Sequence, residues 1–166
     1  MDKYYYLIAS LPLLKFAEPP SLSREDFMNE AGKWIAKEDL MILSRTDINN
    51  FLRAPTDTPL VSRWKDFEYA TRLQLAFYRR AKKQNTEYRM RKDLSSIIQE
   101  SRDPLEIETR LLRVKWDFLE EQEIGHFFDL DFLIVYYLKL QILKRLASFN
   151  KEKGKQNLAA YSLVQL

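Results

Sequence analysis

Few residues in this chain have the types and spacing that chemistry needs. The 166 residues hold no cysteine, which excludes disulfides, thiol nucleophiles, thiolate zinc sites and iron–sulfur clusters. One histidine, His126, is the single candidate for imidazole acid–base work, and three widely spaced glycines, Gly32, Gly125 and Gly154, cannot build a phosphate-cradling loop. His126 lies between Gly125 and Phe127 and reads as a junction residue bonded to a backbone carbonyl. Asp117, Glu120, Glu121 and Glu123 crowd one stretch, where carboxylates could hold a divalent cation or move protons. Their spacing spreads them around a helix, which fits a solvated helix end better. Asp129 and Asp131 precede the longest apolar run, where anions complement a helix dipole. The residues therefore point to no cofactor, no metal and no enzyme.

Two other groups suit binding. Residues 79–92 read RRAKKQNTEYRMRK, half of them basic. Arg79, Arg80, Lys82, Lys83, Arg89 and Arg91, with Tyr78 and Tyr88 nearby, could hold phosphates and stack a base, or dock an acidic partner. A solvated helix end matched to the acidic residues 93–131 fits the stretch better. No recognised nucleic-acid motif accompanies them. Tyr4, Tyr5 and Tyr6, like Tyr136 and Tyr137, are adjacent rings that cannot all face one core. Some hydroxyls need polar partners inside the fold or across an interface.

Charge falls in blocks. Residues 1–62 carry net −2, residues 63–92 net +7, residues 93–131 net −7 and residues 132–166 net +5. Such blocks can neutralise one another between packed helices or present opposed faces to partners. The start is not a signal peptide: its apolar run is short, holds three tyrosines and meets Pro12. The longest apolar run, Phe132 to Leu138, is bracketed by Asp131 and Lys139 and falls far short of the about 20 residues of a membrane span. With no cysteine, this points to the cytoplasm.

The elements that must position these groups read as helices. Leucine occurs 25 times and valine four, and the length suits one domain. The expected fold is all-α, a helical bundle of about three long helices with several short ones, in which Tyr4 to Leu11 is a short strand or a first helix. Ser23 with Asp26 opens a helix through Ile35, and short helices fit Glu38 to Ser44 and Ile48 to Leu52, the latter capped by Asp47. Residues 54–59 form a hinge between a lobe of short helices (1–53) and the long-helix bundle (60–166). Thr58 and Pro59 then open a long helix with Trp64, Phe67, Ala70, Leu73, Phe77 and Ala81 on its apolar stripe. It frays near Asn85, and Leu94 to Glu100 make another short helix. Asp103-Pro104 with Glu106 starts a helix that ends near Glu123, where Gly125 supplies the left-handed residue. Another long helix runs from about Asp129 to Phe149. Residues 151–154 read as a turn, and Asn157 to Val164 as a final helix.

The opening Tyr4-Tyr5-Tyr6-Leu7-Ile8-Ala9-Ser10-Leu11-Pro12 resembles the start of a bacterial family of unassigned function encoded among V-type ATPase genes. Phe128-Asp129-Leu130-Asp131, the stretch Tyr136 to Arg145 and Lys153-Gly154-Lys155 resemble the C-terminal part of that family. Pro19-Pro20-Ser21 and Asn50-Phe51-Leu52 agree more loosely. The family is in turn distantly similar to the C subunit (d in eukaryotes) of rotary ATPases, an all-helical adaptor between shaft and membrane ring with no active site. The resemblance implies a stalk adaptor or assembly factor of an ion-transporting V-type ATPase. Its implied partners are shaft or ring subunits, and it implies a cytoplasmic place peripheral to the membrane. The chain is much shorter than that adaptor, so a reduced or accessory role is implied. The partner-binding residues expected are Tyr4, Tyr5, Tyr6, Tyr78, Arg79, Arg80, Lys82, Lys83, Arg89 and Arg91. A nucleic-acid-binding helical protein that uses residues 79–92 is the alternative.

Overall fold

The computed structural model describes residues 2–149 and 151–163. Eight helices follow one another among them: α1 (Asp2–Ser10), α2 (Arg24–Trp34), α3 (Lys37–Arg45), α4 (Pro59–Lys83), α5 (Lys92–Glu100), α6 (Pro104–Glu123), α7 (Leu130–Ala147) and α8 (Lys151–Leu163). Helices take 69% of the chain and no strand occurs among the described residues, so the fold is all-α.

The core is organised by α7. Every residue from Leu133 to Leu143 is buried. A helix apolar on all sides must be surrounded, and three partners surround this one. Helix α6 runs antiparallel to it, as Glu123 bonds Lys139 and Glu108 bonds Arg145. Helix α2 places Phe27 against Tyr136 and Tyr137, with stacked rings 5.5 and 5.2 Å apart. The end of α3 is latched by Gln141, whose Nε2 donates to Thr46 O at 3.0 Å and whose Oε1 accepts from Ile48 N at 3.2 Å. One apolar cluster thus joins Leu7, Phe27 and Leu43 to Trp64, Trp116 and α7. Each fully buried leucine contributes roughly 1.5–3 kcal/mol to it.

Helix α4 packs along α6, also antiparallel. Phe67 stacks on Phe118 at 4.2 Å, and Arg63 bonds Gln122 at 2.7 Å. Toward its other end, Leu75 and Tyr78 meet Leu94 and Ile98 of α5 and Leu111 of α6.

The expected starts are present. Ser23, Thr58, Asp103 and Asp129 each accept a backbone N–H three residues on. Gly125 takes φ +89° just past the end of α6. Other expectations need correction. The N-terminal segment is not a strand: Tyr4, Leu7, Ile8 and Leu11 pack on the core, and that spacing is one helix face. No helix spans 48–52. Asp47 Oδ1 accepts from Asn49 N at 2.7 Å, and Asn50 Oδ1 from Leu52 N at 3.2 Å. These local bonds compete with a helical ladder. Residues 151–154 are not a turn but the first turn of α8, where Gly154 does not adopt a positive φ. Val164 lies outside the described residues.

The buried stripe of α4 also differs. Leu73 and Phe77 are exposed, whereas Lys65, Glu68 and Thr71 are buried beside Trp64 and Leu75. Charge pairing makes this tolerable for the first two. Lys65 Nζ meets Asp57 at 2.8 Å, and Glu68 Oε1 meets Arg72 Nε at 2.7 Å and Lys115 Nζ at 2.9 Å.

Candidate protein-interaction surfaces

The last two turns of α4 carry Arg79, Arg80, Lys82 and Lys83. Cations there suit the negative end of the helix dipole. The Gln84 N–H bonds Arg80 and Ala81 carbonyls to close the helix, and Asn85 turns the chain at φ 52°. Asparagine is among the few non-glycine residues that take this conformation readily. The four cations and Arg89 are exposed, and among the described residues none of the five has an ion pair.

The acidic block does not neutralise them, contrary to one expectation for this stretch. Most of its carboxylates are engaged elsewhere. Asp93 holds Arg91 at 2.6 Å, Glu100 holds Arg110 at 3.2 Å, Asp117 holds Arg113 at 2.8 Å and Glu108 holds Arg145 at 2.7 Å. Burial works against the charge on Asp93, but the Arg91 guanidinium outweighs it and keeps that carboxyl below its ordinary value. Arg91 also lies 5.8 Å over the Phe67 ring, so this candidate is used within the fold. Tyr78 is half-buried. With Lys82, Tyr88 and Arg89 it borders a cleft of about 710 Å³.

The N-terminal tyrosines divide. Tyr4 turns inward and donates to Asp39 Oδ2 at 2.5 Å. Tyr5 and Tyr6 are 51% and 58% exposed. They belong to a continuous ladder of rings that three segments build. Trp34 from the end of α2 stacks on Tyr6 at 5.6 Å, Tyr6 meets Tyr5 edge-on at 5.8 Å, and Tyr5 meets Phe128 at 4.9 Å. Phe127 next to it is also exposed. Sequence reasoning did not select Trp34, Phe127 or Phe128. The signal available was the Phe127-Phe128 pair just after Gly125-His126, where a short junction cannot bury both rings.

The structure does not bring the tyrosines and the basic cluster together. The ladder sits by the C-terminal end of α6, and the cations sit at the end of α4 that lies by the start of α6. The length of α6, roughly 30 Å at 1.5 Å per residue, separates them.

Most of the remaining candidates have partners within the fold. His126 Nδ1 bonds Asp129 Oδ2 at 2.7 Å, and its Nε2 lies 3.8 Å from Asp131, so it meets carboxylates and not the expected backbone carbonyl. Burial raises the Asp131 carboxyl above its ordinary value, with His126 opposing. Asp117 bonds Arg113, Glu120 accepts from Trp116 Nε1 at 2.8 Å and Glu123 bonds Lys139. Among the described residues no three His, Asp or Glu side chains converge as metal ligands.

Residues 88–160 match the model of a family described as a protein of unknown function (DUF2764). The match covers less than half of the chain: α5, α6, α7 and most of α8. It includes Asp129, Asp131 and the Tyr136–Arg145 stretch whose pattern carried the resemblance, and it includes Tyr88, Arg89 and Phe128. Tyr5, Tyr6, Trp34 and the cations of α4 lie outside it. Nothing among curated proteins or solved structures matches the chain.

Proposed function

We propose that this chain is a non-catalytic component of a V-type rotary ATPase, a stalk adaptor of the C (d) type or an assembly factor, that acts through protein–protein contacts. The observation that carries the reading is the uncompensated cluster Arg79, Arg80, Lys82, Lys83 and Arg89. Five exposed cations at and just after one helix end, with much of the acidic block paired elsewhere, call for an acidic surface on another molecule. The aromatic ladder at the opposite end supplies a second contact of different chemistry, as an adaptor between two bodies requires. The resemblance of both chain ends supports the ATPase as the complex concerned. The match of residues 88–160 to a family of unknown function is compatible with it. Among the described residues no helix is long and apolar enough to cross a membrane, so attachment would run through the ATPase subunits, from the cytoplasmic side.

The test is recovery of the tagged chain from its native cell, with co-purifying proteins identified by mass spectrometry. Near-stoichiometric shaft or ring subunits are expected. Charge reversal at Arg79, Arg80, Lys82 and Lys83 should weaken that association and leave the thermal midpoint unchanged. Association that survives reversal would overturn the surface, and recovery without ATPase subunits would overturn the complex.

One observation favours a second reading. The cleft of Tyr78, Lys82, Tyr88 and Arg89 combines rings with cations, the chemistry of base stacking and phosphate contact. Oligonucleotide binding with a steep salt dependence would support it over the first.

A further inference from the structure

The outer face of α4 carries apolar side chains that the fold does not cover. Tyr69 is 51% exposed, Leu73 38% and Phe77 41%. They follow one another at intervals of four, so they form one ridge along the helix. A further ring widens each end of it: Phe51 stacks on Tyr69 at 6.2 Å, and Tyr88 meets Phe77 at 5.8 Å. Contiguous apolar surface of this kind, rimmed by polar residues, marks an interaction site.

The order of residues along the ridge says what covers it. Outward from Leu73, the face repeats its chemistry in both directions. Three residues away stand Ala70 and Ala76, four away Tyr69 and Phe77, and seven away Asp66 and Arg80, all exposed. The first two pairs are alike in kind, and the third is opposite in charge. An antiparallel copy of the same helix, with Leu73 on the two-fold axis, sets each residue beside the one equally far from Leu73 on the other side. Leu73 then meets its own counterpart, Tyr69 meets Phe77, and Asp66 meets Arg80 at both ends. Ala70 and Ala76 leave room for the two backbones to approach. A patch complementary to itself is what a two-fold dimer requires. A parallel copy would set Arg80 on Arg80 and Asp66 on Asp66, so the charges choose the antiparallel arrangement. Both Asp66 oxygens accept from Arg53, but a carboxylate has about four acceptor sites and two remain for a second guanidinium.

We propose that this face is a homodimer interface, in which α4 packs antiparallel on α4 of a second copy about Leu73. From Asp66 to Arg80 the contact runs about 21 Å along the helix. That is small for a specific interface, so the dimer forms at high concentration and dissociates on dilution. The surface stands apart from the rotary ATPase reading, since only Arg80 of the basic cluster and no residue of the aromatic ladder takes part.

The test is sedimentation equilibrium of the full chain from about 5 to 500 μM. The mass should rise from 19.9 kDa toward twice that value. Leu73→Glu sets two carboxylates on the axis and should hold the mass at one chain throughout, with the thermal midpoint of the dilute protein unchanged. Arg80→Glu turns both end pairs repulsive and should weaken dimerisation about tenfold. Asp66→Lys added to Arg80→Glu restores opposite charges across the axis and should bring the dimer back to within about threefold of its original strength. The chain has no cysteine, so an introduced one is its sole thiol. Under a mild oxidant Leu73→Cys should give a covalent dimer, whereas Gln84→Cys, about 33 Å from its counterpart, should not. A one-chain mass at every concentration would overturn the proposal and leave the ridge to a different protein. A dimer that survives Leu73→Glu, or a charge swap that rescues nothing, would also overturn it by placing the contact on another surface or in another register.

Discussion

Glu68 on α4 and Lys115 on α6, 47 residues apart in sequence, form an ion pair at 2.9 Å with the carboxylate almost wholly buried. This pair ties the outer helix to the central layer just beyond the Phe67–Phe118 stack. It also makes the burial of the Glu68 carboxylate tolerable on a face of α4 that leaves Leu73 and Phe77 outside. The pairing of Glu68 offsets much of its desolvation, whereas the two apolar residues lose comparatively little by facing water.

Removal of Glu68 leaves Lys115, whose side chain is only 15% exposed, without a counter-charge. Glu68→Ala should cost about 3 kcal/mol and lower the thermal midpoint by roughly 6–12 °C. The double change Glu68→Met with Lys115→Met should recover much of that loss. Calorimetric or circular-dichroism melts decide it. A single-variant loss below about 1 kcal/mol would mean that solvent reaches the pair.

Gln141 is a latch between α7 and the chain after α3. Gln141→Leu keeps the volume but orphans the Ile48 N–H and the Thr46 carbonyl. At about 1–3 kcal/mol per orphaned group, the expected loss is about 2–6 kcal/mol in urea unfolding. Hydrogen exchange at the Ile48 amide should accelerate more than at core amides of α7. Uniform acceleration would contradict a local latch.

Tyr136 donates its hydroxyl to Pro12 O at 2.8 Å, and burial pushes its phenol up to about 12 from an ordinary value of 10.0. The fold therefore holds the neutral form. Its contribution is present in full below pH 10 and is lost as pH climbs toward 12. Tyr136→Phe should cost about 1 kcal/mol at neutral pH and flatten the alkaline limb of stability. An unchanged limb in the variant would assign that limb to other groups.

The ladder rings are half in water, so their removal should be cheap for the fold. The pair Tyr6→Ala and Trp34→Ala should cost less than about 1 kcal/mol in unfolding. The same pair should abolish capture of partner subunits if the ladder docks them. A large loss of stability would instead make the ladder a structural brace.

Helix starts were the most legible feature. Ser23, Thr58, Asp103 and Asp129 act through bonds to amides only three residues away, so the sequence carries the whole interaction. The Gly125 stop is equally local. The failures are also instructive. Asp47 looked like a helix cap and caps only a turn, because Asn50, three residues on, takes the Leu52 amide itself. Glu68, buried yet charged, was hidden because its partner Lys115 lies on another helix.

The candidate surfaces divide in the same way. Composition and spacing by themselves determined that this is an all-α chain without cysteine chemistry, with cations gathered at residues 79–92 and adjacent tyrosines near the start. These are sums over local residues, and packing cannot change them. Only the tertiary structure decided which cations stay unpaired, since the acids of 93–131 could have faced them and instead meet Arg110, Arg113, Lys139 and Arg145. It also decided that Tyr4 points inward while Tyr5 and Tyr6 join Trp34 and Phe128. Ion pairing and ring contact depend on distances between segments far apart in the chain, and those distances exist only once α7 has gathered the other helices around it.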